Sequence, residues 1–110
     1  MCRLYGVNHA HLPRIIRSDE AAGSLREEPA AAAGLAAGMP VFGGGGDASL
    51  IGLGAGAASD NDVHVYMGTS GWVSAVTSKR KVDLKHMIGS ITCAVPGKYH
   101  YFSEQETAGK

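Results

Sequence analysis

Apolar residues fall into short runs separated by charged or glycine-rich breaks. The first, His11-Leu12-Pro13-Arg14-Ile15-Ile16, is followed by the polar break Arg17-Ser18-Asp19-Glu20. A helical turn or two fits there, with Pro13 in the first turn, where a missing N–H costs nothing. The run 27–37 is alanine-rich and begins with two glutamates, as the positive end of a helix dipole favours. Pro29 suits an early position and Gly38 the stop, so a surface helix is expected. Met39-Pro40-Val41-Phe42 predicts a short buried strand leaving a sheet through Gly43–Gly46. Asp47 is then the expected N-cap of a helix that begins Ala48-Ser49-Leu50-Ile51-Gly52-Leu53. Gly52, Gly54 and Gly56 weaken that helix, so its small face has to be held by packing, the expected partner being a neighbouring backbone.

Beyond the turn Ser59-Asp60-Asn61-Asp62 the period changes to two. Val63, Val65 and Met67 alternate with His64 and Tyr66, and a second strand is expected over Trp72-Val73-Ser74-Ala75-Val76-Thr77. Gly68-Thr69-Ser70-Gly71 closes them into a hairpin with a polar tip. Ser78-Lys79-Arg80-Lys81 is a solvated basic loop. Strands over 91–95 and 99–102 form another hairpin across Pro96-Gly97-Lys98. In the tail, Ser103 and Glu106 have the spacing of a capping box, which predicts the start of a helix that the chain does not continue, as in a truncated sequence.

Composition sharpens this outline. The 110 residues suit about one small domain, and 16 of them are glycine, concentrated between Gly34 and Gly71. Clustering of that kind implies tight turns or backbone pressed close to a partner. Ten basic residues balance ten acidic ones, which removes the basic footprint of a nucleic-acid binder. No run nears the ~18 apolar residues of a membrane span, and no secretory leader is evident. Cys2 and Cys93 have no metal or disulfide spacing. A soluble, cytoplasmic protein with no nucleic-acid or membrane partner is the expectation.

Three constellations carry candidate chemistry. Ser49 through Ala57 match the glycine pattern of a dinucleotide-binding turn, but Asp60 and Asp62 come too early for the ribose-binding acid and Asp83 lies in a charged loop. The five histidines show no ligand spacing, so no zinc site is expected. The tip Gly68-Thr69-Ser70-Gly71 can present backbone N–H groups and two hydroxyls to an anion, or be an ordinary turn. Asp47 is either a helix cap or a carboxylate offered to substrate beside four glycines. Neither motif decides alone.

Their order is more specific. GMPVFGGGGDASLIGLGAGA followed by DVHVYMGTSGWVSAV resembles the FGGY carbohydrate kinases, and within them the xylulose kinase-like group. CAVPGKYHYFSEQETAG and CRLYGV…HLPRIIRSDEAAGSL resemble the flanking stretches, so the likeness covers nearly the whole chain. It implies an α/β fragment of the actin/hexokinase-like (ribonuclease H-like) ATPase fold spanning the junction of two lobes. Residues 1–58 would be the end of the N-terminal sugar-binding lobe and residues 59–110 the start of the C-terminal ATP-binding lobe. The implied activity is ATP-dependent phosphorylation of a sugar hydroxyl, on a pentulose such as xylulose or a related polyol. Asp47 would be the catalytic base and, with Ala48, contact the sugar. Gly68, Thr69, Ser70 and Gly71 would approach the nucleotide phosphates, Thr69 foremost. ATP and Mg2+ are implied as cofactors, with no metal ligands in this chain, and the longer form is compatible with a homodimer. Relatives often carry Asn or Gln where Ala48 stands, and their N-terminal phosphate motif and C-terminal adenosine motif are missing here. The 110 residues alone are therefore expected to be inactive. A decayed or non-catalytic kinase-fold piece is the alternative, and a dinucleotide-binding module a more distant one.

Overall fold

The computed structural model describes residues 2–106, a mixed α/β arrangement of a two-stranded ribbon, two α-helices and a four-stranded antiparallel sheet. Asn8 opens a single 3-10 turn, His9–His11, by accepting the Ala10 N–H at 3.0 Å. The turn therefore precedes Pro13 instead of containing it, and Leu12 is already extended. β1 (Ala21–Ser24) and β2 (Pro40–Phe42) pair antiparallel, with Ala21 opposite Phe42 and Ser24 opposite Pro40.

α1 (Glu27–Ala33) is the excursion between those strands. It ends at Gly34, four residues ahead of the expected stop. Gly34 is left-handed, at φ 67°, and its N–H reaches the carbonyls of Ala30 and Ala31, a terminus that glycine adopts without strain. Gly38 serves the ribbon instead, donating to the Leu25 carbonyl at 2.8 Å. All three residues of β2 are exposed, not buried, because its one partner is a short strand of small residues.

α2 (Asp47–Gly54) leads through a tight loop into the larger sheet. The Asp62 carboxylate ties that loop by accepting the N–H groups of Ala58 and Ser59, at 3.1 and 2.7 Å. β3 (Val63–Met67) and β4 (Gly71–Thr77) form the expected hairpin, with Tyr66 opposite Trp72. β5 (Gly89–Thr92) starts two residues early, and the strand order is β3-β4-β6-β5. β6 (Tyr99–Gln105) overturns the expected tail helix. Ser103, Glu104 and Gln105 pair with Val73, Trp72 and Gly71, so the backbone hydrogen bonds of β4 outweigh the local capping signal. Thr107–Lys110 lie outside the described residues.

One face of this sheet is buried and polar-rich: His64, Trp72, Ser74, Val76 and His100 are all at most 8% exposed. The opposite face carries Val63, Val65, Met67 and Val73, each more than half exposed. α2 touches this face at the two histidines. A Cβ built on Gly52 would lie 3.3 Å from His100 Cε1 and 3.5 Å from His64 Nδ1. The helix is thus held through its small residues, as expected, though against two imidazoles and not a backbone.

Candidate functional site

Asp47 stands at the end of the four-glycine turn. Gly46 takes the extended cap conformation and offers no side chain, so Asp47 is the first helical residue and not the cap. Its carboxylate is exposed, and Oδ1 accepts the Ala48 N–H at 2.8 Å. Ala48 is half-buried behind it. The turn is fixed on one side to residues 16–20. Gly43 donates to the Glu20 carbonyl at 2.9 Å, and Gly44 to the Ser18 carbonyl at 3.0 Å. A side chain at residue 43 would meet the Arg17 carbonyl at 2.5 Å, so glycine is required there.

On its other side the turn meets the segment linking β5 to β6. Gly45 lies against Ala94, and Ser49 Oγ accepts the Ala94 N–H at 2.6 Å while donating to the Thr92 carbonyl at 3.4 Å. Between the two flanking segments lies a cavity of about 240 Å³. Its walls are mainly apolar, with Ile16, Ala94 and Pro96 among them, and Arg17, Ser18 and Thr92 add a few polar groups. Sequence patterns gave no sign of this cavity or of Ser49, whose partners lie more than 40 residues away.

At the hairpin tip, Thr69 is exposed and Gly68 and Ser70 are half-buried, whereas Gly71 is buried within β4. Neither Gly68 nor Gly71 is left-handed, and the Gly68 N–H is taken by the Ser70 carbonyl at 2.7 Å. A side chain at residue 68 would have to displace the Tyr66 phenol, which fills that space. Tyr66 in turn stacks on Trp72, with ring centroids 4.0 Å apart and planes tilted by 21°. A second cavity, about 280 Å³, opens beside this stack with Met67 and Glu104 in its lining.

The two motifs lie at opposite ends of the sheet. Ser49 anchors the Asp47 turn where Thr92 pairs with Tyr99, whereas the tip continues from Gly71, which pairs with Gln105. The intervening 7 residues of β6 span roughly 20 Å. The structure does not bring Asp47 and Thr69 together.

Electrostatics around the sheet divide into an orphaned interior and a paired rim. His64 Nδ1, Trp72 Nε1, Ser74 Oγ and both nitrogens of His100 are buried without hydrogen-bond partners. Burial lowers the His100 pKa below its ordinary 6.5, and the neighbouring His64 adds to this; the Ser49 backbone acts weakly in the opposite direction, its contact falling short of a hydrogen bond. At the rim, Asp60 accepts from Lys98 Nζ and Ser78 Oγ, both at 2.6 Å, and those two bonds hold its carboxyl below the usual range. His86 pairs with Asp83 at 2.7 Å, which likewise lowers the Asp83 carboxyl. Among the described residues no three His, Cys, Asp or Glu side chains converge as a metal site, and no helix is long and apolar enough to cross a membrane.

Comparison with known proteins bears on both halves of the chain. Residues 1–54 match the model of the FGGY family of carbohydrate kinases, N-terminal domain. The whole chain is similar to solved structures described as a xyloylose kinase from Brucella ovis and a xylulose kinase from Rhodospirillum rubrum. The first superposes with a TM-score of 0.83 at 28% identity, covering 96% of this chain and 22% of that one. The second gives 0.82 at 25% identity, covering 96% and 21%. The chain therefore spans about a fifth of the length of these kinases. No curated protein matches it.

Proposed function

We propose that the chain is part of a carbohydrate kinase of the FGGY family, a reading supported by the match over residues 1–54 and by the two kinases that superpose on it, and that it supplies the acceptor-activating turn and a phosphate-contacting hairpin to ATP-dependent phosphorylation of a sugar hydroxyl. The observation that carries this reading is the exposed Asp47 carboxylate, held at the end of a glycine turn whose two flanking segments line a cavity of about 240 Å³. The acceptor sits against that turn, with Asp47 taking the hydroxyl proton and Ala48 in contact with the sugar. Thr69 and Ser70, with the flanking Gly68 and Gly71, meet the nucleotide phosphates. A pentulose such as xylulose is the acceptor favoured by the two kinases that superpose on this chain.

Phosphoryl transfer depends on positioning and charge neutralisation, with the attacking and leaving oxygens in line. Asp47 and Thr69 stand too far apart here to serve one phosphorus atom, so their pairing belongs to the whole kinase, and the 110 residues alone are inactive. The division into a sugar-binding lobe over 1–58 and an ATP-binding lobe from 59 is supported by a family match that stops at residue 54. ATP with Mg2+ would supply the phosphoryl group and neutralise its charge; the ligands for that ion lie outside this segment. The test is ADP release by a chain of full kinase length carrying this segment, offered a panel of pentuloses and polyols. Acceptor-dependent release is expected with at least one of them, and no release with any would overturn the reading.

A further inference from the structure

The first turn of α2 has few restraints of its own. Its cap is a glycine with no side-chain bond, and the Asp47 carboxylate is spent on the adjacent Ala48 N–H. What fixes it is Ser49, 6% exposed, two residues beyond Asp47. Its hydroxyl accepts the Ala94 N–H at 2.6 Å, a bond that is itself buried, and donates to the Thr92 carbonyl at 3.4 Å. Thr92 and Ala94 belong to the wall of the cavity beside the glycine turn, and the facing wall at Ser18 is bonded to Gly44. One hydroxyl therefore couples the helix that carries Asp47 to the far wall of that cavity. A buried side-chain bond of this kind is geometrically exacting, since its loss leaves the Ala94 N–H without a partner.

We propose that Ser49 is a positioning residue, setting where the Asp47 carboxylate stands relative to an acceptor hydroxyl in the cavity. This rests on the reading of Asp47 as the base. In the transfer, the acceptor oxygen bonds to the γ-phosphorus, the bond from that phosphorus to the bridging oxygen of ADP breaks, and the acceptor proton passes to Asp47. A displaced carboxylate slows attack by the sugar while water can still attack the same phosphorus. The fraction of ATP lost to water thus reports position, and it does not depend on how much of the enzyme is folded.

The experiment compares Ser49→Ala, Ser49→Cys, Ser49→Thr and Asp47→Asn in a chain of full kinase length, measuring ADP release with and without the sugar. Ser49→Ala is expected to raise the ratio of sugar-independent to sugar-dependent release on the order of 10- to 100-fold, the scale of a misplacement near 1 Å. Ser49→Cys fills the same volume with a poor acceptor and should behave alike, which keeps the comparison alive should the alanine variant not fold. Ser49→Thr keeps the hydroxyl and should restore the ratio. A wild-type ratio in both the alanine and cysteine variants would overturn the positioning role. Undiminished sugar phosphorylation in Asp47→Asn would instead remove the base assignment itself, whatever Ser49 does.

Discussion

Substitution of Gly52 tests whether α2 docks on the two histidines. An added Cβ would stand 3.3 Å from His100 Cε1 and 3.5 Å from His64 Nδ1. Alanine gains about 0.8–1 kcal/mol of helix propensity over glycine. Its contact with His100 is a few tenths of an ångström short of the roughly 3.5–4.0 Å optimum. The two effects nearly cancel, so Gly52→Ala should be close to neutral. Valine gains less propensity and drives two further methyl groups into a closed gap, an overpacking worth about 1–3 kcal/mol. Gly54, in the same helix, has open space around its Cβ position. Gly54→Val therefore supplies the same chemical change without the collision. Urea unfolding followed by Trp72, the one tryptophan in the chain and a buried one, reads both variants. Gly52→Val should lie about 1–3 kcal/mol below Gly54→Val. Equal stability of the two would show that the helix does not rest on His64 and His100.

Two further outcomes follow from the buried face and the hairpin tip. The folded pKa of His100 is lowered from 6.5, so the unfolded chain binds a proton that the folded chain resists. Stability is unaffected by this group above pH 6.5 and falls as pH drops below 6.5 toward the folded pKa; urea midpoints should therefore fall less steeply with acid in His100→Gln, and an unchanged slope would contradict the burial account. Gly68→Ala places a methyl group in the space of the Tyr66 ring and should break the Tyr66–Trp72 stack, visible as a changed near-ultraviolet circular dichroism signal with the sheet retained. An unaltered aromatic signal would mean that the tip glycine is not required by Tyr66.

Much of the strand pattern was legible from residue order, and its failures have physical causes. The alternation over Val63–Met67 correctly implied a strand, but period two says nothing about which face is covered. Here the valines face outward and His64 inward, because the glycine-bearing surface of α2 accepts an imidazole. β1 was invisible because Ala21, Gly23 and Ser24 have little strand propensity, and pairing with β2 decides their conformation. The tail was misread for the converse reason: Ser103 and Glu106 have capping-box spacing, yet the open edge of β4 recruits residues 103–105 as strand. Gly38 was the expected stop, but both Gly34 and Gly38 are left-handed, and it is the Gly34 N–H that closes the helix on the Ala30 and Ala31 carbonyls. At the site, the glycine turn and Asp47 stood out through their local chemistry. Ser49 did not, since a serine in a first helical turn is commonplace and its partners lie across the fold.

The central claim is that Asp47 accepts the proton of a sugar hydroxyl. Its most direct measurement is the sugar-dependent ADP release of Asp47→Asn against wild type, at full kinase length and with ATP affinity measured alongside. Loss of a positioned general base should lower turnover by about 10²–10⁴-fold, with ATP affinity unchanged. Turnover equal to wild type would contradict the claim.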